Sequence, residues 1–435
     1  MWDRHSFLRL AALLLLGASS VFAVDYEKPP INYSDAVGDN VITRLQARLD
    51  KGEARLTLDG PSGYLRSLLR ELNVPVSSQM LTFAKHSQQR NIITPKNPRA
   101  LYFNDNVYVG WVPHGIIEIA VADPKLGGMF YTIDDSEPSR PKFTRETNRC
   151  LTCHGTNRTL HVPGFQVRSI FADPDGNPVL AAGSFRTNHT SPLSQRWGGW
   201  YVTGTHGDQK HLGNFLLPDS KKPKSLIDNS AGQNVTDLSS RFDLSLYLAP
   251  HSDLVALMVF EHQTDAHNLI ARLSMETRLA EYAESQHIAA TDAERAKLRA
   301  ETQQRIDTEA ESLVRYLLFS GETKLTAPIR GTSPFAEDFA KLGSRDATGR
   351  SLRDFDLTTR LFKHPLSFTI YSEAFEALPP RAKQVVFRRL REVLTNQDTT
   401  EPFSHLSAKT RQTILEIVRA TKPDVIAAGN QAAPR

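Results

Sequence analysis

Ala100-Leu101-Tyr102-Phe103-Asn104-Asp105-Asn106-Val107-Tyr108-Val109-Gly110-Trp111-Val112 is the stretch whose reading decides the fold class. Two short runs rich in β-branched and aromatic residues flank an Asn-Asp-Asn turn, which is the pattern of paired strands. The pattern continues through Ile116 to Val121 and Gly128 to Ile133, with Pro113-His114-Gly115 and Pro124-Lys125-Leu126-Gly127 as the breaks. Connections this short join antiparallel neighbours, so the residues predict a meander. Further on, Val167 to Ala172 and Pro178 to Ala182 flank Asp173-Pro174-Asp175-Gly176-Asn177, which reads as a hairpin, and Trp200 to Thr203 reads as a further strand.

Working outward, the period changes on both sides. Upstream, Val41, Ile42, Leu45 and Leu49, and then Tyr64, Leu65, Leu68, Leu69 and Leu72 beyond a Gly-Pro break, recur at helical spacing. This gives an N-terminal helical segment over 24–98. Residues 1–23 read as a secretory signal peptide: Arg4 and Arg9 flank a short apolar run from Leu10 to Leu16, followed by small residues up to Ala23. Downstream of Leu217, Pro218 to Lys224 has the composition of a joint. Ser252 or Asp253 then caps a long helix towards Ser285, and Thr291 to Phe319 makes its antiparallel partner. Gly321 to Gly349 reads as loop, Pro379-Pro380 opens a helix with an apolar stripe at Ala382, Val386, Leu390 and Val393, and a last helix spans Ala408 to Ala420. The expected class is α+β: an antiparallel β-rich domain over 99–217, a linker and helical hairpin over 218–330, a small C-terminal helical domain over 331–427 and a tail over 428–435.

Cys150-Leu151-Thr152-Cys153-His154 interrupts the β domain and holds the only two cysteines of the 435-residue chain. Two thiols at this spacing followed by histidine are what covalent haem attachment requires: the thiols add to the vinyl groups and the histidine ligates the iron. Two other readings of such a pair stand beside it. A redox dithiol of the thioredoxin type opens a helix after a buried strand, whereas Glu137 to Arg149 is loop chemistry. A structural zinc site takes four protein ligands, and there is no second cysteine pair.

With Cys150 and Cys153 as the covalent links and His154 as the proximal iron ligand, the cofactor is one haem c, and the distal side decides its use. Met80, Met129, Met258 and Met275 read as core filler. Histidines crowd the stretch from His189 to His267. His262 is the first distal candidate because it falls on the apolar stripe of the Asp253 helix, and His206, after a strand, is the alternative. Haem propionates favour arginine partners, and Arg149, Arg158 and Arg168 lie nearest the motif, with Lys142 and Arg145 close by. Trp197, Trp200 and Tyr201 offer an aromatic wall. Arg381, Arg388 and Arg391 form a charged helix face that reads as solvated, with docking of an acidic partner as the alternative.

Composition adds bounds. Forty per cent hydrophobic and twenty-three per cent charged residues describe an ordinary globular chain, and a net charge of +4 is too small to argue for a nucleic-acid partner. No run after the signal segment is long enough to span a bilayer, so the expected location is periplasmic or secreted. Three segments, together with the haem motif, resemble a family of secreted, single-haem c-type cytochromes of environmental bacteria. They are Pro98-Arg99-Ala100-Leu101-Tyr102-Phe103-Asn104-Asp105, Arg196-Trp197-Gly198-Gly199-Trp200-Tyr201-Val202-Thr203-Gly204-Thr205-His206-Gly207 and Arg350-Ser351-Leu352-Arg353-Asp354-Phe355-Asp356. The β-rich part also resembles a sensor domain of the PAS or Cache type carrying a haem loop. The family resemblance implies haem binding and export over nearly the whole mature chain. The expected function is electron transfer to a redox partner protein rather than catalysis, with a peroxidase-like enzyme or a gas or redox sensor as the alternative.

Overall fold

The computed structural model describes residues 23–133, 141–218, 228–287 and 291–427. The signal segment up to Phe22, the tail 428–435 and most of the Pro218 to Lys224 joint lie outside the described residues. Within them the chain is α+β, as its patterning predicts. Helices α1 (Val41–Asp50) and α2 (Leu65–Glu71) form at the expected apolar spacing. Asn40 starts α1 with a capping box: its side chain accepts from Ile42 and Thr43, and Thr43 returns a bond to the Asn40 backbone.

The main sheet has seven antiparallel strands, in the order β6-β5-β4-β3-β2-β1-β9. They are β1 (Met80–Thr82), β2 (Arg99–Phe103), β3 (Val107–Trp111), β4 (Ile117–Asp123), β5 (Gly127–Ile133), β6 (Thr144–Arg145) and β9 (Trp200–Tyr201). The meander β2 to β5 is the one read from the sequence. β1 is not, because three residues of apolar sequence carry no period; it links the meander to β9. Register puts Leu101, Gly110, Glu118 and Thr132 side by side. Since side chains alternate across a strand, these residues share a face with Phe103, Tyr108 and Phe130. The opposite face, with Tyr102, Val109, Trp111, Ile119 and Tyr131, packs with α1 and α2 into one core.

Between β6 and β9 the chain leaves the sheet. It carries α3 (Leu151–His154) and a separate ribbon of β7 (Arg168–Ile170) and β8 (Ser184–Arg186). The turn at Asp173 to Asn177 forms, its Asp173 carboxylate accepting from Asp175 and Asn177. The expected second strand at Pro178 to Ala182 does not. Leu180–Ala182 coils into a short 3-10 turn, and Gly183, at a φ of 137° open only to glycine, redirects the chain so that pairing resumes at Ser184.

Helix α4 (Leu254–Gln286) is the pillar of the molecule, and every residue from Leu254 to Asn268 is buried. Its first turns pack on the sheet beside Leu101, Phe103 and Tyr108. Ala271 and Met275 reach the core beneath the sheet, while Ile270 and Leu273 join a third, all-helical core. That core is completed by α5 (Asp292–Leu317), α8 (Pro380–Leu394) and α9 (Ala408–Thr421). The stretch read as loop contains α6 (Phe335–Lys341), and α7 (Glu373–Glu376) precedes α8. The boundary expected at 217 and 218 therefore runs through shared packing. Arg388 is exposed, as a solvated face implies, and pairs with Asp307 at the surface, whereas Arg381 and Arg391 are half-buried and bind Glu284 and the Val425 carbonyl, fastening α8 to the hairpin and to the C-terminal turn. Among the described residues no helix is long and apolar enough to cross a membrane.

A candidate haem attachment site

α3 is a single turn that presents Cys150, Cys153 and His154 at the Phe130 end of the sheet, the His154 ring centroid lying 4.8 Å from that of Phe130. The cysteines are free thiols, Cys153 exposed and Cys150 partly so. His154 is tied to Gly164 twice. Its carbonyl accepts from the Gly164 amide at 2.9 Å, and its Nδ1 lies 2.8 Å from the Gly164 carbonyl. A carbonyl only accepts, so Nδ1 carries the proton and the neutral ring keeps its lone pair on Nε2. Burial holds His154 below its ordinary pKa, favouring that neutral form.

The tether is itself anchored. The Gly128 amide donates to the Pro163 carbonyl at 2.6 Å, a close approach that leaves no room for a side chain on Gly128, and a Cβ on Gly164 would meet the Asn268 Oδ1. One residue on, Asn268 of α4 accepts from the Phe165 amide and donates to its carbonyl, both at 2.7 Å. The long helix thus fixes the orientation of a side chain more than a hundred positions earlier.

Around the motif several polar atoms are closed off from solvent without a hydrogen-bond partner: His86 Nε2, Arg99 Nε, Arg168 Nε and Gln166 Oε1. Gln166 donates its other end to the Cys153 carbonyl, and Gln88 donates to Cys150 Sγ at 3.3 Å. Arg99 pairs with Glu118 at 2.8 Å and lies across Gly110. Buried polar groups are nearly always satisfied, and such a group of orphans calls for a partner. A haem attached at Cys150 and Cys153 fits this chemistry, with donors for carboxylates at Arg99 and Arg168 and a free nitrogen at His154.

Of the arginines read from the sequence, Arg149 and Arg158 are exposed beside the motif. Arg168 has the orphaned Nε and reaches Ser184 with its guanidinium. Arg145 is occupied elsewhere, donating to the Tyr33 and Ala36 carbonyls. His262 is placed in the helical interior with neither nitrogen open to iron. Nδ1 is 2.8 Å from His189 Nδ1, Nε2 is 2.7 Å from Ser367 Oγ, and the ring stacks on Phe319 and Tyr316. Its stripe is buried as expected, but against α5 rather than a cofactor. His206 accepts from the Asn234 amide through Nε2 and packs edge-on against His211. No hydrogen bond or ring contact links it to α3 among the described residues. Met80, Met129, Met258 and Met275 are core residues.

His86, Arg99, Phe130, Gly164 and Asn268 belong to the site without being marked in the sequence. His86 lies in a polar run after β1 with no period to recommend it, far from the histidine-rich stretch downstream. The other readings of the cysteine pair find little support. Burial, with Glu118 and Glu146 adding to it, pushes the Cys150 thiol up to about 12, opposite to an activated dithiol. No group of three or more His, Cys, Asp or Glu side chains is placed to hold a metal ion among the described residues. Recesses lie beside His267 and around Glu281, Arg295 and Arg381, and the motif lines neither, so the site is defined by its side chains.

The chain matches no family model, and neither a curated protein nor a solved structure matches it.

Proposed function

We propose that the protein is an exported c-type cytochrome that carries one haem on Cys150 and Cys153 with His154 as proximal ligand, and that it passes electrons to a redox partner protein. The observation that carries this reading is the posture of His154. Its Nδ1 is spent on the Gly164 carbonyl and its Nε2 is left for iron, within one helical turn of two unpaired thiols. When bound, such a group takes up and returns one electron at its iron. The protein's part is to hold the ring of His154 in one tautomer beside Phe130, and to keep Cys153 exposed on the side a partner can approach.

Intact mass of the chain, produced in a host with haem-attachment machinery and extracted with acid and acetone, tests this directly. The wild type should retain the mass of one haem, and Cys150→Ala with Cys153→Ala should retain none. A wild-type polypeptide without the added mass would overturn the reading. Removal of residues 1–23 should yield apoprotein, because attachment follows export; a fully loaded truncation would refute the export half of the proposal.

A further inference from the structure

The second axial position of an iron on His154 needs a nitrogen or sulfur that is close to the motif and not otherwise engaged. His262 has both nitrogens engaged; His206 keeps a buried Nδ1 without a partner, but among the described residues no hydrogen bond or ring contact brings it to the motif, and the four methionines are packed in cores. The segment after β1 meets the requirement. It runs Lys85-His86-Ser87-Gln88-Gln89, and two residues beyond His86 the Gln88 amide is bonded to Cys150 Sγ. Its ends are held: Lys85 N donates to the Gly176 carbonyl, and Gln89 donates to the Ile116 carbonyl at the head of β4. The His86 ring, 6.5 Å from that of Trp200, keeps its Nε2 closed off from solvent and without a partner. A buried imidazole nitrogen with nothing to bind is costly unless a ligand completes it.

We propose that His86 supplies the distal ligand to the iron, so that the segment 85–89 closes over the haem from the side opposite His154. This rests on the haem reading of the motif. Arg99 and Arg168, each with an orphaned Nε, flank the same space and would meet the propionates. An iron with two histidines is low spin, has a lower potential than a Met-ligated carrier and leaves no open site for an exogenous ligand.

The test uses full-length exported protein, with haem attachment read by intact mass and ligation by the optical and paramagnetic resonance spectra of the ferric state. Wild type should be low spin, and its ferrous form should not bind carbon monoxide. His86→Ala should keep the haem mass, turn high spin, bind carbon monoxide and return to low spin on addition of imidazole. His86→Met, which refills the position, should stay low spin with a raised potential; it decides the matter if the alanine variant fails to accumulate. His206→Ala and His262→Ala should leave the wild-type spectrum intact. A loaded His86→Ala protein with an unchanged spectrum, or the same conversion appearing in His206→Ala or His262→Ala, would overturn the assignment of His86 while sparing the haem reading. A loaded wild type that is already high spin would overturn the assignment too, and would favour the enzyme or sensor alternative. A wild type without haem mass would defeat both.

Discussion

Asn268 is the residue through which the long helix governs the motif, and its two bonds to the Phe165 backbone are both buried. Asn268→Ala should cost about 2–4 kcal/mol, since each buried backbone group then lacks its partner, and the urea midpoint should fall with an unchanged slope. An unaltered midpoint would show that the loop at Gly164 is held without it. A second buried contact joins Arg196 to Glu261 at 3.2 Å, with both side chains essentially inaccessible. Arg196→Met strands a carboxylate that burial already raises in pKa, and should cost about 3–5 kcal/mol. Adding Glu261→Gln to that variant should recover part of the loss; a double variant no more stable than the single would refute the stranded-charge account. Little of this is legible in the sequence. Arg196 and Arg353 stand in the segments that carry the family resemblance, and they turn out to be buried joints: Arg196 to α4, and Arg353 to Asp105 and the rings of Phe339 and Phe368. Cys150, Cys153 and His154 are legible because order and spacing are a local property. The environment of His86 or His262 is set by distant chain and is not.

Asp253 shows what a single cap does for an element. One carboxylate oxygen accepts from Val255 and Ala256 at the start of α4, and the other accepts from Thr332 and Ser333, drawing the loop before α6 onto the helix end. Asp253→Ala should cost about 2–3 kcal/mol, more than a cap alone, because two further amides lose their acceptor. Asp253→Asn, which retains an oxygen for the helix amides, should lose less than half of that by chemical denaturation. Equal losses would mean that the helix-cap bonds contribute nothing and that the loop contacts carry the whole effect. Elements of this kind are readable: α4 from a cap at Ser252 or Asp253, of which Asp253 is the one used, α5 from its start at Thr291, the meander from its turns, α8 from its proline and stripe. Those that escape a sequence reading are short. β1 and β6 have three and two residues, too few to display alternation, and exist because neighbouring strands bond to them. The hairpin at Asp173 fails as a strand pair although its turn is right, since turn chemistry sets where the chain reverses and not where pairing resumes.

Across the whole molecule, buried histidines make stability depend on pH. Burial depresses His211, His262 and His267 to about 3, with His206 adding to the shift at His211 and His267 to that at His262. Between the unfolded value of 6.5 and about 3 the unfolded chain binds protons that the native one does not, so stability falls as pH drops through that window. At about pH 5.5 each should cost roughly 1 kcal/mol relative to pH 8. Urea midpoints should therefore decline steadily from pH 7 to pH 5, and a flat profile would contradict the burial of these rings. Helix α4 carries a different consequence. It lends side chains to three large cores at once, so no one of them can melt while the others stand. The heat-absorption peak should be single, its van 't Hoff enthalpy equal to the calorimetric one. In hydrogen exchange the amides of Leu257 to Asn268 should open only when the entire chain does, making this helix the slowest clock in the protein.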